Sequence, residues 1–224
     1  MALLKWDQPG ERQYEMGVKN GILYPQNSDG TYATGVVWNG LTAVTNSPDG
    51  AEPTDLWADN IKYATLRSAE TFGATIEAYT YPEEFCACDG SAQVVAGVHV
   101  GQQARQPFGF CYRTEIGSDT MSADGDDGYI IHVIYNLTAS PSERNYETIN
   151  DSPDAITFSW EVTSTPVNCT GYKPVSEITF NSLELSESKM TAIKNALYGT
   201  DGTGGSAGTD PTLPAPDDLL ALAR

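Results

Sequence analysis

The chain has 224 residues, with 12 lysines and arginines against 30 aspartates and glutamates, a formal charge of −18. That length fits one hydrophobic core with an appendage. The charge repels phosphate backbones and anionic lipid and so argues against a conventional nucleic-acid or membrane-surface binder, although the solvated surface of an abundant protein accounts for the same charge.

Met1 to Gln13 lacks a basic region followed by an apolar run, and no later stretch approaches the roughly 18 residues of a membrane span. The protein is therefore expected to stay in the compartment where it is made. Strands are predicted at Gly17 to Tyr24 and Gly35 to Thr45, and Pro48, Gly50 and Pro53 then punctuate a long excursion from Thr45 to Ile61. A strand from Thr75 to Tyr81 leads into Pro82-Glu83-Glu84-Phe85. Proline at a first helical position and two carboxylates in the first turn predict a short helix there, ended by Gly90. After the strand from Phe108 to Ile116, the segment from Tyr129 to Ala139 places Tyr129, Ile131, Val133, Tyr135 and Leu137 on one face. Ile130 and Ile134 make its other face apolar too, so both are expected to be covered. Ile156, Phe158, Trp160 and Val162 alternate with Thr157, Ser159, Glu161 and Thr163, the period of a strand with one buried face.

A strand from Glu177 to Leu183 precedes a helix from Ser186 to Leu197, with Ser186 as N-cap, Met190, Ile193 and Leu197 on one face, and Gly199 as C-cap. Apart from Leu213, residues 199–216 collapse to Gly, Thr, Ser, Ala, Asp and Pro and read as a flexible linker. The eight residues from Asp217 to Arg224 cannot hold a helix alone in water and fold only if they dock, through Leu219, Leu220 and Leu222. The domains expected are thus 1–198, a linker at 199–216 and a docking segment at 217–224. The fold class is mainly β, antiparallel, with short helices.

The residues that carry chemistry elsewhere are sparse. His99 and His132 both sit in apolar, strand-like contexts and read as core or surface histidines. Cys86 and Cys88 are too close in sequence for the first pair of an ordinary zinc site; with Cys111 and Cys169 they read as reduced, small hydrophobes. Asn136-Leu137-Thr138 and Asn168-Cys169-Thr170 match a glycosylation pattern that has no meaning without export. The acidic run from Asp119 to Asp127 invites calcium but lacks the helix-loop-helix spacing, and a soluble hairpin loop explains it as well. No catalytic, cofactor or metal residue is assigned.

Trp38-Asn39-Gly40-Leu41-Thr42-Ala43-Val44, the run from Gly50 to Tyr63, Ser68-Ala69-Glu70, the strand from Gly73 to Tyr81 and the run from Gly109 to Gly117 resemble the major tail proteins, or tail tube proteins, of long-tailed bacteriophages. The resemblance covers roughly Gly17 to Phe180. It implies two antiparallel sheets packed across each other with a flanking helix, six copies closing a hexameric ring whose joined sheets form an inner barrel, and rings stacking into a tube. It further implies a virion tail location after synthesis in the host cytoplasm, and other tail components such as tape measure and terminator proteins as partners. DNA would pass without specific binding, and no membrane, cofactor or catalysis would be involved. Within that frame Pro48, Glu52, Asp55, Trp57 and Asp59 are expected at an inter-subunit contact, because a lone Trp in a loop wants burial. Glu70, Glu77, Glu115 and Glu161 are expected to line the lumen, where carboxylates let a duplex slide. The alternative is a β-sandwich that recognises carbohydrate or a host surface through aromatics such as Trp6, Trp38, Trp57 and Tyr172. A hydrolase or metal enzyme built on the acidic loop is a third reading.

Overall fold

The computed structural model describes residues 3–50, 52–120, 128–149, 151, 154–202 and 207–224. In chain order the strands are β1 (Gln13–Pro25), β2 (Val36–Trp38), β3 (Leu41–Asn46), β4 (Asp49–Gly50), β5 (Pro53–Ala58), β6 (Ile61–Arg67), β7 (Glu70–Thr71) and β8 (Gly73–Ala78). Helix α1 (Phe85–Cys88) is followed by β9 (Ala92–Val95), β10 (Val98–Val100), β11 (Phe108–Ser118), β12 (Gly128–Ala139), β13 (Phe158–Ser164) and β14 (Glu177–Asn181). Helices α2 (Glu187–Tyr198) and α3 (Pro216–Ala223) complete the chain.

The architecture is mainly β and antiparallel, with few short helices, as the period-two segments require. The principal sheet has the order β2-β1-β11-β12-β13-β8-β3, with β14 also on β12. Because β1, β11 and β12 are long, they run through two lobes of one hydrogen-bonded network. In the first lobe the segment 36–46 pairs with β1 through β2 and with β8 through β3, which carries the strand order back round to β1. Its interior holds Trp38, Phe108, Phe110, Trp160, Ile76 and Leu137, with Phe85 of α1 packed edge-on against Trp160 and Phe108. The second lobe is β14 with the facing halves of β12, β11 and β1, one face of which is covered by α2 and α3. Met190, Ile193 and Leu197 all bury there, against Ile131, Val133 and Tyr135.

Both faces of β12 are covered, but Leu137 does not share a face with Ile131, Val133 and Tyr135. Asn136 takes φ +50°, and the register against β11 slips by one residue between Phe108 and Phe110. One extra residue in a strand reverses its alternation, so Leu137 joins Ile134 in the first lobe's interior.

The stretch expected as a flexible linker is, in its described part, a strap held against the domain. Gly199 takes φ +75°, and a Cβ there would meet the Thr209 carbonyl oxygen at 2.5 Å. Thr200 and Thr209 exchange backbone hydrogen bonds, Gly35 N–H donates to the Pro211 carbonyl, and Thr212 N–H donates to that of Ala196. Leu213 then buries over Gly109, where a Cβ would lie 2.2 Å from its Cδ2. Composition suggested a linker because it counts too few apolar side chains for a core. Backbone hydrogen bonds and one leucine in a glycine-made notch suffice to hold a strap on a core that already exists.

Candidate functional site

The second lobe leaves one face open. Antiparallel partners share a face, so β1 contributes Gln13 and Glu15 to it, β11 contributes Thr114, β12 contributes Ile130 and His132, and β14 contributes Glu177, Thr179 and Asn181. It carries two carboxylates and neither lysine nor arginine. Four strands are tied across it by polar contacts. His132 Nδ1 lies 3.1 Å from Glu177 Oε1, its Nε2 lies 3.1 Å from Thr114 Oγ1, and Thr114 Oγ1 is 3.4 Å from Glu15 Oε2. Tyr112 stacks on the imidazole at 4.5 Å and 2°.

Carboxylate, imidazole and hydroxyl in that order are the groups of a hydrolytic relay. The chemistry fails on electrostatics, since Glu15 stands beside the hydroxyl oxygen where an acyl oxyanion would need donors. The arrangement instead fixes the register of β1, β11, β12 and β14.

The lobe also ends in two unpaired strand edges. β14 pairs with β12 alone, and β2 covers only Gly21 to Leu23 of β1, leaving the half from Gln13 to Asn20 without a partner on that side among the described residues. The order β1-β11-β12-β14 is antiparallel throughout, so β14 runs opposite to β1. An edge β14 set beside the β1 of another copy would continue the same ladder. An unpaired edge is a template for another chain.

The excursion expected from Thr45 to Ile61 holds the first strand and the turn of a freestanding hairpin, β5–β6, which runs on to Arg67 and is closed by Asp59-Asn60, both at positive φ. Every residue of β5 is exposed, and β6 is exposed except at Ala64. Asp55 accepts from Thr65 Oγ1 at 2.8 Å and pairs with Lys62 at 2.7 Å, while Trp57 (69% exposed), Ile61, Tyr63 and Leu66 are exposed to solvent. Of the expected contact residues, Asp55, Trp57 and Asp59 lie on this hairpin; Glu52 lies at its base and Pro48 just before β4, both exposed. A second hairpin, β9–β10, exposes Val94, Val95, Val98 and Val100, with His99 among them.

The four expected lumen carboxylates do not come together. Glu77 and Glu161 sit on the outward face of β8 and β13, beside Thr75 and Ser159. Glu70 is in the small β4–β7 pair. Glu115 points to the helix side of the second lobe, where Lys19 and Arg113 pair with it. The C-terminal leucines dock on their own chain: Leu219 is fully buried and Leu222 packs against the same cluster, while Leu220 is only half-buried. Asp217 anchors the helix by accepting from Thr170 N–H at 2.8 Å and Thr170 Oγ1 at 2.7 Å, which lowers its pKa. Trp38 is core, whereas Trp6, Trp57 and Tyr172 are exposed on three separate segments. All four cysteines are free, with the Cys88 thiol pushed up to about 12 by burial. Residues 121–127 of the acidic loop lie outside the described residues. Its Asp119 accepts from Gly10 N–H at 2.9 Å. Among the described residues no cluster of three His, Cys, Asp or Glu could hold a metal, and no helix is long and apolar enough to cross a membrane.

Sequence reasoning named His132 only as a core or surface histidine and missed Glu15, Thr114 and Glu177. Alternation groups each with its strand neighbours, but which face α2 covers is decided by tertiary packing. No family model and no curated protein matches the chain. Among solved structures, a chain of the sheath/tube terminator of an extracellular contractile injection system in the extended state overlaps 80% of this chain and 99% of its own, at 8% identity and a TM-score of 0.32. A chain of such a system's sheath-tube complex overlaps 79% and 93%, at 8% identity and a TM-score of 0.29. Overlaps at that level carry no argument about function.

Proposed function

We propose that this chain is the tube subunit of a bacteriophage tail, polymerising as hexameric rings that stack around a lumen through which the genome passes. The observation that carries the reading is the pair of free edges on opposite flanks of the second lobe. Antiparallel pairing of β14 in one copy with β1 in the next is heterologous, and six repeats close it into a barrel with no edge left open. The face turned inward is then the one opposite α2 and α3. Glu15 and Glu177 take the lumen role expected of Glu70, Glu77, Glu115 and Glu161, and a wall without lysine or arginine gives phosphates nothing to release counterions against. The β5–β6 hairpin supports the same reading, because an isolated two-stranded hairpin is marginal in water and this one exposes apolar side chains ready to be covered by a neighbour. Pro48, Glu52, Asp55, Trp57 and Asp59 belong to that contact. The tail tape measure and terminator proteins are the further partners, and the tail of the virion is the site of action. Residues 1–198 form the tube domain, with the strap and α3 closing its outer side.

Size-exclusion chromatography and negative-stain electron microscopy of the concentrated protein test this. Rings or tubes with a central channel are expected. A monodisperse monomer at every concentration and ionic strength would refute it.

A further inference from the structure

A cleft of about 620 Å³ opens beneath the C-terminal strap, lined by Tyr32, Tyr135, Pro166, Leu213, Pro214 and Asp218 among others. That size suits a ligand of drug-like bulk, such as a few residues of peptide. Tyr135 closes one side of the cleft with a fully buried ring. The cleft's rim carries the carboxylate of exposed Asp218, while the neighbouring Asp217 is spent on Thr170.

At the other end of β1 the chain has the complementary surplus. Leu3, Leu4 and Trp6 are 87%, 73% and 74% exposed, and Lys5 lies between them. This arm is pinned at Gly10, which donates to Asp119, and at Arg12, which pairs with Asp7. Reach decides whether it can fill its own cleft. Seven residues from Gly10 back to Leu3 span at most about 25 Å when extended. The cleft begins beyond Pro25, and β1 spans about 40 Å over its 13 residues, or about 33 Å if each of its two bulges removes one rise. The arm falls short of its own cleft, whereas a copy stacked end-on brings the next cleft to it.

We propose that residues 3–6 of one copy insert into the strap cleft of the copy stacked on it, Trp6 and a leucine entering between Tyr32, Pro166 and Leu213, and Lys5 meeting Asp218. The inference deepens the tube reading by naming the segment that joins successive rings. Stacking is then an exchange of a tethered arm, strengthened around each ring by multivalency.

Two measurements test it. A synthetic, fluorescein-labelled peptide of residues 3–12 is titrated with the full chain and followed by anisotropy, which needs no assembly. Binding is expected, weakened tenfold or more by Trp6→Ala in the peptide and about two- to fivefold by Asp218→Asn in the protein. In parallel, a photo-crosslinking amino acid replaces Trp6 in assembled protein mixed from isotopically light and heavy chains. Cross-links from light arms to the Tyr32 or Pro214 peptide of heavy chains are expected. A peptide that does not bind, or cross-links confined to other surfaces, overturns the arm assignment even where rings and tubes form. A chain that never assembles refutes the tube reading instead, and the peptide titration still decides the cleft.

Discussion

Thr179→Pro separates the edge of β14 from its fold. Ser182 N–H donates to the Tyr129 carbonyl and Tyr135 N–H to that of Ser176, which fixes the phase of the β12–β14 ladder. In an antiparallel pair, hydrogen-bonded positions alternate, so Phe180 and Ile178 bond to β12 while Glu177 and Thr179 turn their N–H and C=O groups to the free edge, as does the N–H of Asn181, whose carbonyl accepts from Leu185 N–H. Proline at 179 therefore deletes a donor that the monomer does not use. An inter-copy ladder loses that bond and strands the facing carbonyl, about 1–3 kcal/mol per interface. That weakens each contact about five- to 150-fold, and a ring of six loses on the order of 6–18 kcal/mol. Phe180→Pro is the control, since it removes a bond to β12 and should lower the melting temperature of the monomer itself. The assay is sedimentation velocity for assembly together with thermal unfolding by circular dichroism. If Thr179→Pro chains assemble at the wild-type concentration, β14 is not the ring-closing edge.

Three further outcomes follow from the same contacts. Replacing Trp57 and Ile61 by Ser should leave the unfolding free energy of the monomer within about 0.5 kcal/mol, because both are exposed, while weakening assembly; a large loss of monomer stability would mean the hairpin folds back on its own chain. Leu219→Ala should cost about 2–5 kcal/mol in chemical denaturation and release α3 to hydrogen exchange, since Leu219 is fully buried with Met190 and Leu213 in one cluster. Asp217 has a lowered pKa in the folded chain, so its contribution is complete above the ordinary carboxylate range and is lost as pH falls through its depressed value. Proteolysis of the strap should accelerate in that acidic window in the wild type, and Asp217→Asn should show the fast rate at neutral pH as well.

How far the sequence could be read follows from what each signal measures. Alternation at Phe158, Trp160 and Val162 reports one buried face, and the structure puts Trp160 and Val162 in the first lobe's core. Met190, Ile193 and Leu197 at helical spacing likewise report the face α2 buries. The phase reversal at Asn136 was hidden because a bulge is a backbone event that leaves composition unchanged. An excursion could be read from Thr45 to Ile61, but not the hairpin that runs from Pro53 on to Arg67, since the register slip between Leu56 and Trp57 breaks the alternation. The open face is the clearest case. Glu15 and Glu177 are 162 positions apart, and only the pairing of β1, β11, β12 and β14 brings them onto one surface with His132 and Thr114. Glu115, one residue from Thr114, points the opposite way for the same period-two reason that made it look like a lumen candidate.

Hydrogen exchange at the backbone amides of β14 and the first half of β1, read by mass spectrometry in monomer and assembled protein, tests the central claim most directly. In the monomer the amides of Glu177, Thr179 and Asn181 have no ladder partner and should exchange rapidly, while Ile178 and Phe180 are protected. Assembly is predicted to protect the first three, together with the amides of the β1 half from Gln13 to Asn20 that face the free edge. Assembled protein in which these amides still exchange at the monomer rate would contradict ring closure through β14 and β1.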